Sequence, residues 1–240
     1  MNVVRYADRA DLRERRYEEL TRPTFPEYMN YNEPGDLYWD RLYTDFPDFQ
    51  VALVDGDDLL AEAHAISLPW DGTQEDLPAG WDEGFVRGMT SERPHTALMA
   101  IAISVAPAQQ GQRLSSRMIR TFTDNARTAR LAEGVLAPVR PTWKERYQLI
   151  SIEEYMGWRH EDGSHFDPWI RVHEVVGGTI LAAAPRSMVI RAPAGDWEEW
   201  TGMAFPGDGE YVFPGGLATL LVEDGVATHV EPNVWVHHTL

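Results

Sequence analysis

The sequence contains no cysteine. Disulfides, thiolate metal centres and a cysteine nucleophile are therefore excluded. Lysine is almost missing: of 21 basic residues only Lys144 is a lysine, and the rest are arginine. A bias that strong points to a high-GC bacterial genome. No apolar run approaches the ~18–20 residues of a membrane span. The opening stretch, MNVVRYADRADLRERR, has no apolar segment of the kind that leads a secretory signal. The expected location is cytoplasmic, with no membrane partner. Positive charge is scarce as well. Acidic residues number 38, and the net charge is −17. Nucleic acid is not an expected partner for such a chain.

The remaining composition is that of an ordinary globular protein, with 43% hydrophobic and 25% charged residues over 240 positions. The few bases are not spread evenly. Arg113, Arg117, Arg120, Arg127, Arg130, Arg140, Lys144 and Arg146 fall in one stretch, whereas residues 192 to 240 hold eight acids and no lysine or arginine. A basic island of that size suits either a solvated helix face or a small, highly charged anion.

Periodicity places the main elements. Val3 to Tyr6 reads as a strand and Asp8 to Leu20 as a helix, with a second helix from Asp36 to Tyr43. Gln50–Val54 and Leu59–Leu68 form a hairpin signal around Asp55-Gly56-Asp57-Asp58. Thr96 to Val105, TALMAIAISV, is a continuous apolar run of strand length. From Leu114 to Glu133, Leu114, Met118, Phe122, Ala126 and Ala129 recur at helical spacing, with Gly134 as the expected C-terminal cap. Val135 to Val139 is a second buried strand. Strand, loop, helix and strand together predict a βαβ unit. A helix is expected over Lys144–Met156, then strands at Ile170–Val176, Thr179–Ala184, Ser187–Ile190, Leu217–Val222 and His229–Val236.

The loop between the apolar strand and the long helix is Ala108-Gln109-Gln110-Gly111-Gln112-Arg113-Leu114-Ser115. A strand feeding a helix through such a loop aims backbone amides at one spot, where the helix dipole adds positive potential. The segment AIAISVAPAQQGQRLSSRMIRTF resembles the acetyl-CoA-binding core of the GNAT superfamily of acyltransferases. The order of elements from Val3 to Trp158 resembles that family too. The resemblance implies an α/β fold, with a mixed, mostly antiparallel central sheet flanked by helices. Residues 1–158 would form the acyl-CoA-binding core. Residues 159–240 would form a β-rich extension that completes the sheet and covers the acceptor site.

The resemblance also implies acetyl-CoA, or another acyl-CoA, as cosubstrate. Gln110, Gly111, Gln112, Arg113, Leu114 and Ser115 would hold its pyrophosphate, and Ser104 and Val105 would flank the thioester. Arg113 stands where the family has its middle glycine. It either blocks the cradle or supplies a direct charge to phosphate. The implied reaction is direct attack of a small amine on the thioester in a ternary complex. Tyr155 is the candidate proton donor to the leaving thiolate. Candidate bases are Glu62, which shares a strand face with His64, and His173, which on a strand would share a face with Trp169 and Arg171. Acids and tryptophans in the C-terminal third suggest a cationic acceptor. No metal site is expected, because His237-His238 and Glu231 lack a ligand pattern. A homodimer is compatible with the sequence. The competing reading is a GNAT-like protein that binds CoA thioesters without acetylating an amine, as a decarboxylase or a regulatory binding protein.

Overall fold

The computed structural model describes residues 1–240. The chain opens with β1 (Asn2–Arg5) and α1 (Asp11–Arg16), which runs into a π-helical turn at Tyr17–Thr21. Short pieces follow, α2 (Glu33–Tyr38) and α3 (Leu42–Asp45), then the hairpin of β2 (Gln50–Asp55) and β3 (Asp58–Leu68). Next come α4 (Trp81–Thr90), β4 (Ala97–Val105), α5 (Leu114–Thr128) and β5 (Val135–Val139). The remainder holds α6 (Ile152–Tyr155), α7 (Pro168–Val175), β6 (Thr179–Pro193), α8 (Ala194–Thr201), β7 (Gly209–Tyr211), β8 (Leu220–Glu223) and β9 (Val226–His238). No helix is long and apolar enough to cross a membrane.

All nine strands join one sheet in the order β1-β2-β3-β4-β5-β9-β8-β7, with β6 on the other edge of β9. Every pairing is antiparallel except β4 with β5. The helical crossover that a parallel neighbour requires is supplied by α5. Its residues Leu114, Met118, Phe122 and Ala126 are buried, and they pack on Leu53, Ala61, Ala63, Ala65 and Leu98. The opposite face of the sheet carries α4, packed through Trp81 and Phe85 onto Ile66, Met99 and Trp235. Residues 159–240 enter the same sheet. β9 pairs with β5 through Val234–His238 and with β8 through Val226–His229, while β6 covers its whole other edge.

Several elements differ from the sequence reading. Ile170–Val176 is not a strand but part of α7. The carboxylate of Asp167 accepts from the amides of Trp169 and Ile170, and Pro168 occupies the first turn. An Asp-Pro helix start overrides the apparent alternation. The long helix stops at Thr128 rather than Glu133. Arg130 takes the left-handed conformation there (φ 59°). Gly134 serves the next strand instead, since a Cβ at that position would lie 2.3 Å from the carbonyl oxygen of His238. Lys144–Met156 is a 3₁₀ turn (Lys144–Tyr147) and the single turn of α6, not one helix. The two strands expected at Thr179–Ala184 and Ser187–Ile190 are one, β6, with irregular register between Ala184 and Met188.

The seam between α4 and β6 depends on a close backbone approach. An ideal Cβ on Gly80 would stand 2.1 Å from the Cα of Ser187. The next amide, Trp81 N–H, donates to Ser187 Oγ at 2.9 Å. Backbone cannot yield as a flexible side chain does. Gly80→Ala should therefore lower the free energy of unfolding by roughly 1–3 kcal/mol, read from urea denaturation. An unchanged midpoint would show that the seam is looser than this geometry.

Candidate active site

Parallel strands β4 and β5 pair only at Leu98–Val135 and Met99–Leu136. Beyond that point they part, although β4 continues to Val105 and β5 to Val139. The cause is an extra residue in β4. Against β3, register passes from Ala65–Ala100 to His64–Ala102, so Ile101 has no partner. Such a bulge bends a strand and increases its twist. Trp81 fixes it, its indole N–H donating to the carbonyl of Ile101 at 2.9 Å. Past the bulge, β4 has one edge free of strand partners.

The loop after β4 reaches α5 through a 3₁₀ turn at Pro107–Gln109 and two left-handed residues, Gly111 (φ 79°) and Arg113 (φ 60°, ψ 22°). No side chain caps α5. The amides of residues 111 to 116 donate to no acceptor within the protein. Six consecutive free donors at the head of a fifteen-residue helix form an anion cradle, reinforced by the helix dipole. Gly111 faces open space. Leu114 is buried in the core below, so only its amide is available. The guanidinium of Arg113 is exposed and has no ion-pair or hydrogen-bond partner. The residues present thus fit a pyrophosphate. They also explain the family's glycine, because Arg113 sits in the backbone conformation that glycine adopts without penalty.

The basic island separates in space. Arg113, Arg120, Arg127 and Arg130 are exposed along or beside α5. Lys144 is buried, and its ammonium donates to the carbonyls of Tyr147 and Leu217 at 2.8 and 2.7 Å. Burial pushes its pKa down to about 8. Arg140 turns inward, into a cavity of about 300 Å³.

That cavity lies against the bulge, with Ile101 and Ala102 on its wall. Pro138 and Arg140 close the β5 side, and Arg16, Trp39 and Trp81 come from the helices above the sheet. Its only titratable lining residues are Arg16, Tyr17, Asp36 and Arg140. Burial and the nearby carboxylate of Glu27 raise the pKa of Tyr17, so its hydroxyl stays protonated at neutral pH. Two buried ion pairs stand behind the arginines, Arg16 with Glu62 and Arg140 with Glu231.

The residues singled out from the sequence are dispersed. Glu62 is fully buried behind Arg16 and accepts from Tyr6, Arg16, Thr21 and His64. Burial alone would raise its pKa, but His64 and Arg16 hold it far below the usual carboxylate range. A carboxylate so saturated has no lone pair free for an amine; it positions Arg16. Tyr155 is buried, and its hydroxyl donates to Asp167 at 2.9 Å. Burial first and then Asp167 raise its pKa beyond any neutral-pH role as an ionised group. His173 lies on a helix rather than a strand; it still faces Trp169, one turn before it with ring centroids 4.5 Å apart, but Arg171 leaves that face. The Nδ1 of His173 lies 2.9 Å from Nε2 of His238. No hydrogen bond joins any two of Glu62, Tyr155 and His173, and none of the three lines the cavity. Ser104 is buried with its hydroxyl unpaired, on the strand face of Glu62, and Val105 ends the free edge. None of the eight acids of residues 192 to 240 lines the cavity, so the C-terminal third supplies no carboxylate wall for a cation. Sequence reasoning missed Arg16, Arg140, Trp81 and Ile101. Their signal is long-range pairing, which local pattern does not carry.

This is the architecture of an acyltransferase, with its anion cradle at one end of a split strand pair and a cavity at the split. No family model matches the chain. The arginine N-acetyltransferase avaD of Aspergillus versicolor is 30% identical to it, over 90% of this chain and 85% of its own. Two solved structures share the fold over 99% of this chain: the loading GNATL domain of CurA from Lyngbya majuscula (TM-score 0.65, 16% identity, 96% of that chain) and the GphF GNAT-like decarboxylase in complex with isobutyryl-CoA (TM-score 0.59, 14% identity, 98% of that chain). The chain belongs to the GNAT superfamily of acyltransferases.

Two measurements follow from this geometry. In Arg113→Gly the relieved left-handed strain and the greater freedom of the unfolded chain oppose each other, each worth roughly 1 kcal/mol. Stability should hold, while calorimetry should show CoA binding weakened about tenfold by loss of a charge-assisted contact. Equal or tighter binding would show that the guanidinium does not reach the anion. The histidine pair predicts acid lability. Burial, then His238, pushes His173 well below its ordinary pKa, and burial, then His237, brings His238 to about 4. The unfolded chain takes up protons near pH 6.5 that the folded pair refuses. This contribution is complete above pH 6.5 and declines as pH falls toward 4. His173→Asn should flatten that part of the urea-midpoint profile; an unaltered profile would remove the pair as its source.

Proposed function

We propose that the protein is an acyl-CoA-dependent N-acyltransferase that moves an acetyl group to a small amine by direct attack in a ternary complex. The observation that carries this reading is the continuity of three features. The free amides of residues 111 to 116 suit the pyrophosphate of CoA, the unpaired edge of β4 suits its extended arm, and the cavity at the bulge suits an acceptor. The relative named for arginine N-acetylation supports an amine acceptor.

In this reading the amine nitrogen forms a bond to the thioester carbonyl carbon, and the carbon–sulfur bond breaks as thiolate leaves. The chain's part is orientation and exclusion of water beside a free strand edge. The cavity holds no histidine or lysine, and Asp36 lies exposed at its rim. The amine therefore reacts in its neutral form, having lost its proton to solvent or at the rim. As the carbon–sulfur bond breaks, the nitrogen gives up its surplus proton to solvent and the thiolate takes one from solvent, since the Tyr155 hydroxyl is committed to Asp167.

Acetyl-CoA at about 100 times its dissociation constant should stabilise the fold by about 2.7 kcal/mol, a rise of roughly 5–10 °C in Tm for a chain of this size. Thiol release with an amine should then rise with pH at unit slope in log kcat/KM, up to the pKa of the acceptor amine itself. No Tm shift would sink the CoA reading. A break well below the pKa of the amine, abolished by His64→Gln, would show that a histidine base acts after all.

A further inference from the structure

The same arrangement of side chains occurs twice around the cavity. On β3, Glu62 accepts from Arg16, from the hydroxyl of Tyr6 at 2.8 Å, and lies 3.0 Å from Nε2 of His64. On β9, Glu231 accepts from Arg140, lies 3.4 Å from the hydroxyl of Tyr28, and lies 2.5 Å from Nε2 of His229. Both glutamates are fully buried, and the arginine side chains are 9% and 18% exposed.

Each guanidinium is gripped along one edge. Arg16 uses Nε and Nη2, on Glu62 at 2.7 and 3.0 Å and on Thr21 Oγ1 at 2.9 Å. Arg140 uses the same two nitrogens, on Glu231 at 2.5 Å, the Tyr28 hydroxyl at 3.1 Å and the Gly215 carbonyl at 2.6 Å. In both, Nη1 has no acceptor in the protein, and both residues line the cavity. A buried Arg–Glu pair contributes little stability over an apolar pair of equal volume, because desolvation offsets attraction. Two such pairs presenting unspent donors to one small cavity instead resemble a prepared recognition site.

The chemistry of that site is narrow. With Nε and Nη2 of each arginine spent, each offers one Nη1 group, and one such charged donor from each arginine can meet the two oxygens of a carboxylate. Each arginine is already balanced by its glutamate, so the cavity offers directed donors without a strong positive field, which suits one carboxylate better than a phosphate. A volume of about 300 Å³ is at the small end for ligand sites. Phe25, Met29, Trp39 and Trp81 supply an apolar wall for a side chain.

We propose that the acceptor is an amino carboxylate of amino-acid size, its carboxylate held by the free Nη1 donors of Arg140 and Arg16 and its amine facing Ile101 and Ala102. This rests on the reading of the cavity as the acceptor site of an N-acyltransferase. The same carboxylate chemistry could arrive on the acyl group of a dicarboxylic thioester, and the test separates the two.

With acetyl-CoA as donor, thiol release is compared for arginine against agmatine and arginine methyl ester, and for phenylalanine against phenethylamine. In parallel, calorimetry compares N-acetyl-arginine with its amide, which needs no turnover. The carboxylate member of each pair should have at least tenfold higher kcat/KM, or tighter binding. The paired variant Arg140→Gln with Glu231→Gln, which removes both charges of the ion pair together, should erase that preference. Equal reaction and equal binding with and without the carboxylate overturn the proposal. Carboxylate-dependent binding that the paired variant erases, with no amine releasing thiol, upholds the subsite and fails the transferase reading. Preference for malonyl-CoA over acetyl-CoA that the variant removes, with indifferent acceptors, overturns the acceptor assignment and places the carboxylate on the acyl group.

Discussion

The bulge at Ile101 sets the rest of the site. One unpaired residue in β4 shifts its register against β3 and turns its far half away from β5. Two parallel strands that stayed paired would consume every amide and carbonyl between them and leave no entry for a thioester. Parting them exposes an edge, which is ordinarily a hazard. Here the edge is interior to a nine-stranded sheet, with β9 joining beyond β5, so the gap opens without offering a template for aggregation. Trp81 contributes twice. Its ring packs in the core beside Phe85, and its N–H occupies the carbonyl that the bulge would otherwise orphan. The segment that carries it is anchored through Gly80 to β6, so the C-terminal third helps hold the bulge in place.

Charge is handled by confinement. An acidic chain of net −17 keeps two arginines beside its cavity by burying a glutamate behind each. An isolated buried guanidinium would be costly, and an isolated buried glutamate would protonate. Together, and with tyrosine and histidine completing the hydrogen bonds of each glutamate, each set is rigid, and only the Nη1 donors are left unspent. Rigidity is the gain, since a donor whose direction is fixed loses little entropy when a ligand arrives.

Much of the fold was legible because it is written locally. The run 97 to 105, the four-residue spacing from Leu114 to Ala126 and the second run at 135 to 139 define β4, α5 and β5 with no long-range information, and Gly111 marks the turn between them. The C-terminal third was harder. In Trp169-Ile170-Arg171-Val172-His173 an alternating pattern over five residues fits a strand as well as a helix, and Asp167-Pro168 decides for the helix. The active cavity was nearly illegible. Arg16 stands among neighbouring arginines in α1, and only Glu62, 46 positions away, separates it from them. Arg140 is joined to Glu231 across 91 positions. The pairs Glu62-x-His64 and His229-x-Glu231 share a spacing that puts both members on one strand face. That repetition is visible in the sequence, but its meaning depends on which arginine folds against it.

Arg113 shows how a departure from a family pattern can leave the backbone untouched. The left-handed turn that a glycine would make easily is made here by arginine, at a cost of roughly 1–2 kcal/mol. A loop under no other demand would escape that cost by shifting residue 113 into a right-handed or extended conformation. It does not, because Leu114 must enter the core directly at the start of α5, and the chain has only two residues after Gly111 in which to turn. The packing of one leucine thus fixes the turn, and the turn in turn aligns the six amides. Whatever side chain stands at position 113, the cradle is made by the backbone, and the arginine adds charge to a geometry that the core has already imposed.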